Sequence, residues 1–180
     1  MSAWVALFRG INVGGKHIVP MKKLTELMVQ AGCSEVKSYI QSGNVVFKHE
    51  TLEKPALSGM LSQLVAKHFG FYPKVMVLSA AEFSAVASQN PYLHLCEQGK
   101  HLHVFFLESA ATSADLAALT TLKYAGEQFH LTPQAFYLYA PDGIGRSKLV
   151  TKIDKCLGVA STARNLNTLD KIAELISPLS

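Results

Sequence analysis

The chain has 180 residues, of which 49% are hydrophobic and 17% charged, and a formal charge of +4. Such a length suits one compact domain or two small halves, with apolar side chains enough for a core. No apolar run approaches the roughly 18 residues that a membrane-spanning helix needs, and the mild positive charge admits an anionic partner without demanding one. The opening MSAWVALFRG lacks the basic leader and cleavage site of a secretory signal. Cys33, Cys96 and Cys156 are odd in number and show no CxxC spacing, which favours reduced thiols over a disulfide frame. The expectation is a cytoplasmic chain with no membrane segment and no membrane partner.

In chain order, AWVALFR (3–9) has strand length and composition. A glycine-rich loop follows, and Pro20 suits the first turn of a helix. Leu24, Leu27, Met28 and Ala31 repeat at helical spacing, with Gly32 as the stop. The runs at 36–41 and 44–48 flank Ser42-Gly43 and read as an antiparallel hairpin within a mixed sheet. A helix over 53–69 buries Leu57, Leu61, Leu64, Val65 and Phe69 and closes at Gly70; KVMVLS is the next strand. The order is βαββαβ, the ferredoxin-like unit.

Ser79-Ala-Ala-Glu82 is a capping box that opens a short helix ending near Asn90-Pro91. After a loop at 91–101 the grammar returns: strand HLHVFFLE, a helix over about 113–123, strand QFHL, a turn at Thr132-Pro133, and strand AFYLYA. A helix is expected from Ser147 and a last one over 168–177. The fold class is α+β: two related ferredoxin-like halves, 1–79 and 80–180, the second carrying the C-terminal helices.

Gly10 to Lys16 fills the Gly-x4-Gly-Lys frame of a nucleotide-binding P-loop, but His17 stands where the Mg²⁺-holding Ser or Thr belongs. A P-loop also needs a parallel sheet and a helix starting at the Gly-Lys itself. Here HIVP is extended and the helix begins only at Pro20. The loop is read instead as an anion cradle. Glycines 10, 14 and 15 allow positive φ and inward-pointing amides, with Arg9, Asn12 and Lys16 in or beside them.

ALFRGINVGG near the start and YIQSGNVVF at 39–47 resemble a bacterial family known as domain of unknown function 1697. FG at 69–70, NP at 90–91, LYAPDGIGRSKL at 138–149 and TARNLNTLDKI at 162–172 continue the resemblance in order through nearly the whole chain. It implies an α+β fold of ferredoxin-like character and no activity. One departure is Leu166, where the family pattern usually has Trp after Arg-Asn.

Three further loops carry candidate ligand-binding groups. Gln41, Ser42 and Asn44 crowd the hairpin, where Gly43 and Asn44 also suit a purely structural turn. Arg146, Ser147 and Lys148 follow DGIG at an expected helix start. Ser147 is a natural N-cap there, while cations oppose the dipole unless an anion binds. Arg164 and Asn165 pose the same question before the last helix. His94, Cys96, His101 and His103 form the one metal-like cluster, with His101 and His103 on one strand face, but they match no ligand spacing. Neither a metal nor a cofactor is assigned.

These groups lead to a small anionic ligand, phosphorylated or carboxylated, such as a nucleotide. Arg9, Asn12 and the loop amides would hold the charge, Gln41 and Asn44 orient it, and Arg146 and Lys148 close the other side. The glycine loop, the QSGN hairpin and the GRSK turn would then converge. An Arg-bearing loop with Asn nearby is similar, by analogy, to acylphosphatases, so phosphate-ester or acyl-phosphate hydrolysis is the alternative. Nucleic-acid binding is the third class. SGNVVFKH does not fit an RNP1 pattern, though Phe47 and Tyr39 could offer stacking rings. A protein-interaction module is the fourth. Substrate, catalysis and oligomeric state are left open.

Overall fold

A computed structural model describes residues 1–50 and 53–179. The first part of the chain runs β1 (Ser2–Phe8), α1 (Met21–Gln30), β2 (Ser34–Tyr39), β3 (Asn44–His49), α2 (Lys54–Phe69), β4 (Val75–Ser79). This is the βαββαβ order read from the sequence. The sheet order is β2-β3-β1-β4, and every neighbouring pair is antiparallel. The expected mixed sheet is therefore corrected to a wholly antiparallel one. Each crossover helix returns the chain to a non-adjacent strand, so neighbours alternate in direction. The arrangement has no parallel edge at which a P-loop could form.

From Trp4 to Phe8 every residue of β1 is buried. Its side chains alternate between the two faces of the sheet, so burial along its whole length means that both faces are covered, while β3 and β4 pair its two edges. Trp4, Ala6 and Phe8 join Leu24 and Met28 of α1 and Leu57, Leu61 and Val65 of α2 in one core. Phe47 sits in the same core, so it offers no stacking platform for a base. Each fully buried Leu or Phe here stabilises the fold by about 1.5–3 kcal/mol.

The helix stops follow their chemistry. α2 ends at Gly70, with φ 83, and the Gly70 amide closes on the Ala66 carbonyl at 3.0 Å. At α3 (Ala80–Ser88) the capping box forms as read. Ser79 N–H donates to Glu82 Oε2 at 2.9 Å, and Glu82 N–H to Ser79 Oγ at 3.1 Å.

The remainder runs β5 (Leu102–Leu107), α4 (Leu116–Leu122), β6 (Gln128–Leu131), β7 (Ala135–Tyr139), α5 (Ile153–Leu157), β8 (Ser161–Asn165), α6 (Leu166–Ile176). Short 3-10 turns at Leu93–Leu95 and Gly99–His101 interrupt the expected loop at 91–101. The strand STARN was not foreseen. It carries no apolar alternation, yet it pairs antiparallel with β5 and completes a second βαββαβ set. That sheet has the order β6-β7-β5-β8, the same arrangement as the first. Phe105, Phe136 and Leu138 meet Leu119 of α4 and Ile153 and Leu157 of α5 in its core.

By its internal contacts the chain divides into Met1–Ala85 with Asp170–Ser180, and Val86–Leu169. The C-terminal segment thus counts with the first unit. Among the described residues no helix is long and apolar enough to cross a membrane.

Gly43 tests the turn that joins β2 to β3. Its φ is +81, and a Cβ there would lie 2.7 Å from Phe8 Cβ and 2.9 Å from Ile11 Cδ1. Both neighbours are buried and cannot give way. Left-handed strain and overpacking together predict that Gly43→Ala loses about 2–4 kcal/mol. The denaturation midpoint in urea measures it.

Candidate functional site

At one end of the first sheet three loops meet. Phe8 N–H donates to Gly43 O at 2.8 Å and Arg9 N–H to Lys74 O at 2.9 Å, so the chain leaving β1 is held between the β2–β3 turn and the segment before β4. The glycine loop then forms a small hairpin. Val13 and Lys16 pair as an antiparallel bridge, with Lys16 N–H donating to Val13 O at 3.0 Å. Gly14 and Gly15 lie between them at φ 58 and 73. Positive φ at both central residues marks a type I′ turn, whose twist matches its flanks. The glycines that mimic a P-loop are there to turn a hairpin.

Asn12 holds this hairpin in place. Its Nδ2 donates to Val19 O at 2.9 Å and to Gln41 O at 2.8 Å, while Oδ1 accepts from Val19 N–H at 2.7 Å. Its own amide donates to His17 O at 3.0 Å. The φ of 54 at Asn12 is one that Asn tolerates better than most residues. Asn12 is therefore a structural bracket between two loops, and not the ligand-holding amide the sequence suggested. On the other flank His17 stacks on Phe71, with ring centroids 4.2 Å apart and 15° between planes.

Asn44 is also structural. It is buried, and its Nδ2 donates to Tyr39 O at 3.1 Å and Ser42 Oγ at 2.9 Å, which locks the turn that Gly43 permits. Of the residues singled out in this unit, Arg9, Lys16, Gln41 and Ser42 stay exposed. The glycine loop and the QSGN hairpin do come together, through Asn12.

The second unit carries the other candidates. Ser147 is buried, and its Oγ accepts from Val150 N–H at 3.3 Å, at the start of a 3-10 turn over Val150–Lys152. Regular helix begins only at Ile153. Arg146 and Lys148 are exposed on the preceding turn, outside the first helical turn to which a dipole effect is confined. The electrostatic conflict expected at Arg146 is thus absent. A conflict of that kind does occur in α1, a ten-residue helix with no acidic residue and no side-chain cap in its first turn, where Lys22 and Lys23 stand.

Arg164 and Asn165 depart from the ligand reading too. Arg164 lies on β8 opposite Val104 and is buried at 8% exposure. Its Nη1 donates to Thr162 Oγ1 at 3.0 Å and Ala163 O at 2.8 Å. Burial pulls the guanidinium down to about 10. Asn165 Oδ1 accepts from Thr168 N–H at 3.0 Å, an N-cap for α6. Leu166, half-buried, opens that helix.

The histidine cluster separates. His101 ends a 3-10 turn while His103 is on β5, so the two do not share a strand face. Among the described residues no group of three or more His, Cys, Asp or Glu side chains could hold a metal ion. His103 is buried at 7% exposure, and its Nε2 has no hydrogen-bond partner among the described residues.

The family model described as "Protein of unknown function (DUF1697)" matches residues 1–137. A solved structure described as a conserved bacterial protein from Streptococcus pneumoniae is similar at a TM-score of 0.77 and 26% identity, covering 98% of this chain and 99% of that one. No curated protein matches.

Two measurements check this account. Asn12→Ala leaves the polar groups of the fully buried Val19 without their partner, and should cost about 2–4 kcal/mol in chemical denaturation. Asn12→Gly relieves only the backbone, and should recover no more than about 1–2 kcal/mol of that. For His103, burial holds the ring below its ordinary value of 6.5, opposed by a hydrogen bond to the Lys100 backbone and reinforced by His101. The unfolded chain then takes up the proton more readily, so this contribution is fully present above pH 6.5 and is lost as pH falls below it. Denaturation midpoints of the wild type and His103→Phe should run parallel above that pH, and the wild type should fall relative to the variant below it.

Proposed function

This chain belongs to the DUF1697 family, whose description assigns no chemistry, and from its own residues we propose that it recognises an anionic group, a phosphate or carboxylate, at the loop end of the first unit. One observation carries the reading. Asn12 ties the glycine hairpin to the Gln41 turn, so Lys16 and Gln41 stand exposed on two loops whose backbones are fixed to each other. Arg9 leaves β1 between the β2–β3 turn and the segment before β4, and Ser42 adds a hydroxyl on the turn.

Pre-organisation is what such a rim contributes. A cation on a braced hairpin loses less freedom on binding than one on a mobile loop. Asn12 and Asn44 serve the site by holding its frame. Arg146 and Lys148 form a cationic turn of the second unit. In both units we read the sheet order as ferredoxin-like. Hydrolysis is the weaker reading, because the amides of Asn12 and Asn44, the orienting groups it would need, are engaged within the fold.

Thermal shift against inorganic phosphate, pyrophosphate and a mononucleotide is the first test, followed by titration calorimetry with whichever shifts the transition. Lys16→Ala should leave stability within about 0.5 kcal/mol, as for an ordinary surface substitution. It should weaken the anion by about 1.5–3 kcal/mol, the scale of a charge-assisted hydrogen bond. Unchanged affinity in that variant would remove the hairpin from the site.

A further inference from the structure

The same loop end exposes apolar side chains that the fold does not use. Val13 is 65% exposed, Ile18 56%, Ile40 50% and Tyr72 77%. They lie on the three loops already shown to meet: Val13 and Ile18 flank the hairpin, Ile40 precedes the Gln41 that Asn12 grips, and Tyr72 follows the Phe71 that His17 covers. Single exposed apolar residues are ordinary, whereas several on one set of braced loops form a patch.

Ile40 adds a second observation. Its φ is 49, a left-handed conformation that crowds a β-branched side chain. A turn position that served only the fold would be better filled by Asn or Gly. Here a strained residue instead presents half of a large aliphatic side chain to solvent.

The loop segments that carry the patch hold charge of one sign. Residues 9–25, 36–43 and 70–78 contain no Asp or Glu. Lys16 stands on the hairpin, and Lys22 and Lys23 occupy the first turn of α1, whose positive end disfavours them. An anionic surface would relieve that repulsion.

We propose that this end of the first unit docks reversibly on a bilayer containing anionic lipids. The tip aliphatics and Tyr72 would enter the headgroup boundary while the lysines meet lipid phosphates. The proposal rests on the anion-recognition reading and names the source of the anion. Lysine is depleted at protein–protein interfaces, which argues against a protein partner. Single-stranded nucleic acid is held by stacking on aromatic rings, and three of the four exposed apolar groups here are aliphatic. Apolar insertion together with a basic patch is the two-signal pattern of interfacial anchoring.

The test is co-sedimentation of the full chain with vesicles of phosphatidylcholine alone, and of an equal mixture of phosphatidylcholine and phosphatidylglycerol, at low and high salt. Binding to the mixed vesicles only, weakened by salt, is expected. Removing Lys22 and Lys23 as Ala should lower partitioning about fivefold per lysine. Ile40→Asn should fold at least as stably as the wild type, with thermal denaturation as the control, and yet lose most of the vesicle binding; Val13→Ser should act in the same direction. Vesicle binding unchanged in both apolar variants would overturn the proposal. So would binding to a single-stranded oligonucleotide with none to vesicles. If phosphate still shifts the melting transition while mixed vesicles are ignored, the lipid proposal fails and the anion reading stands. If neither binds, both fail.

Discussion

Burial of both faces of a central strand is the constraint on which each half of this molecule depends. From Trp4 to Phe8, and again from Leu102 to Phe106, every residue is buried. A buried strand must pair its backbone on both edges, since an unpaired amide or carbonyl away from water is costly. β1 does so between β3 and β4, and β5 between β7 and β8. Once those pairings are set, the chain leaving β1 must emerge between two neighbouring strand ends. The glycine hairpin is therefore placed against the Gln41 turn by sheet geometry before any side chain acts.

Side-chain polarity in the loops then divides into two tasks. The amides of Asn12 and Asn44 and the hydroxyl of Ser147 replace missing backbone partners at turns. Short polar side chains suit this work because they reach nearby backbone groups with little entropy to lose. Lysine, with a long stem and a strongly hydrated head, does not. Lys16, Lys22 and Lys23 remain at the surface, and the exposed aliphatics stand among them. The polar residues thus build the rim, and the cations and apolar side chains give it a character that an anionic surface would match.

The second unit places its polar groups differently. Arg164 and His103 are carried on β8 and β5 and buried there. Burial shifts both toward their neutral forms, because desolvation penalises charge. These residues look like ligand groups in a sequence, and they prove to be parts of a sheet. Their effect falls on pH-dependent stability, with the neutral imidazole as the form the fold accommodates.

What the sequence determined by itself was local. Apolar spacing set α1 and α2, the Ser79–Glu82 box set the start of α3, and short apolar runs set most strands; each depends only on residues a few positions apart. The family was legible too, from short blocks in order along the chain. STARN escaped notice because its strand character comes wholly from pairing with β5, far away in the chain. The type I′ turn at Gly14-Gly15 was not legible, because glycine permits many conformations and only the Val13–Lys16 pairing selects one. Whether an Asn binds a ligand or braces a loop likewise turns on what lies within about 3 Å of its amide. At Asn12 that neighbour is Gln41, on another loop, and only the tertiary structure brings them together.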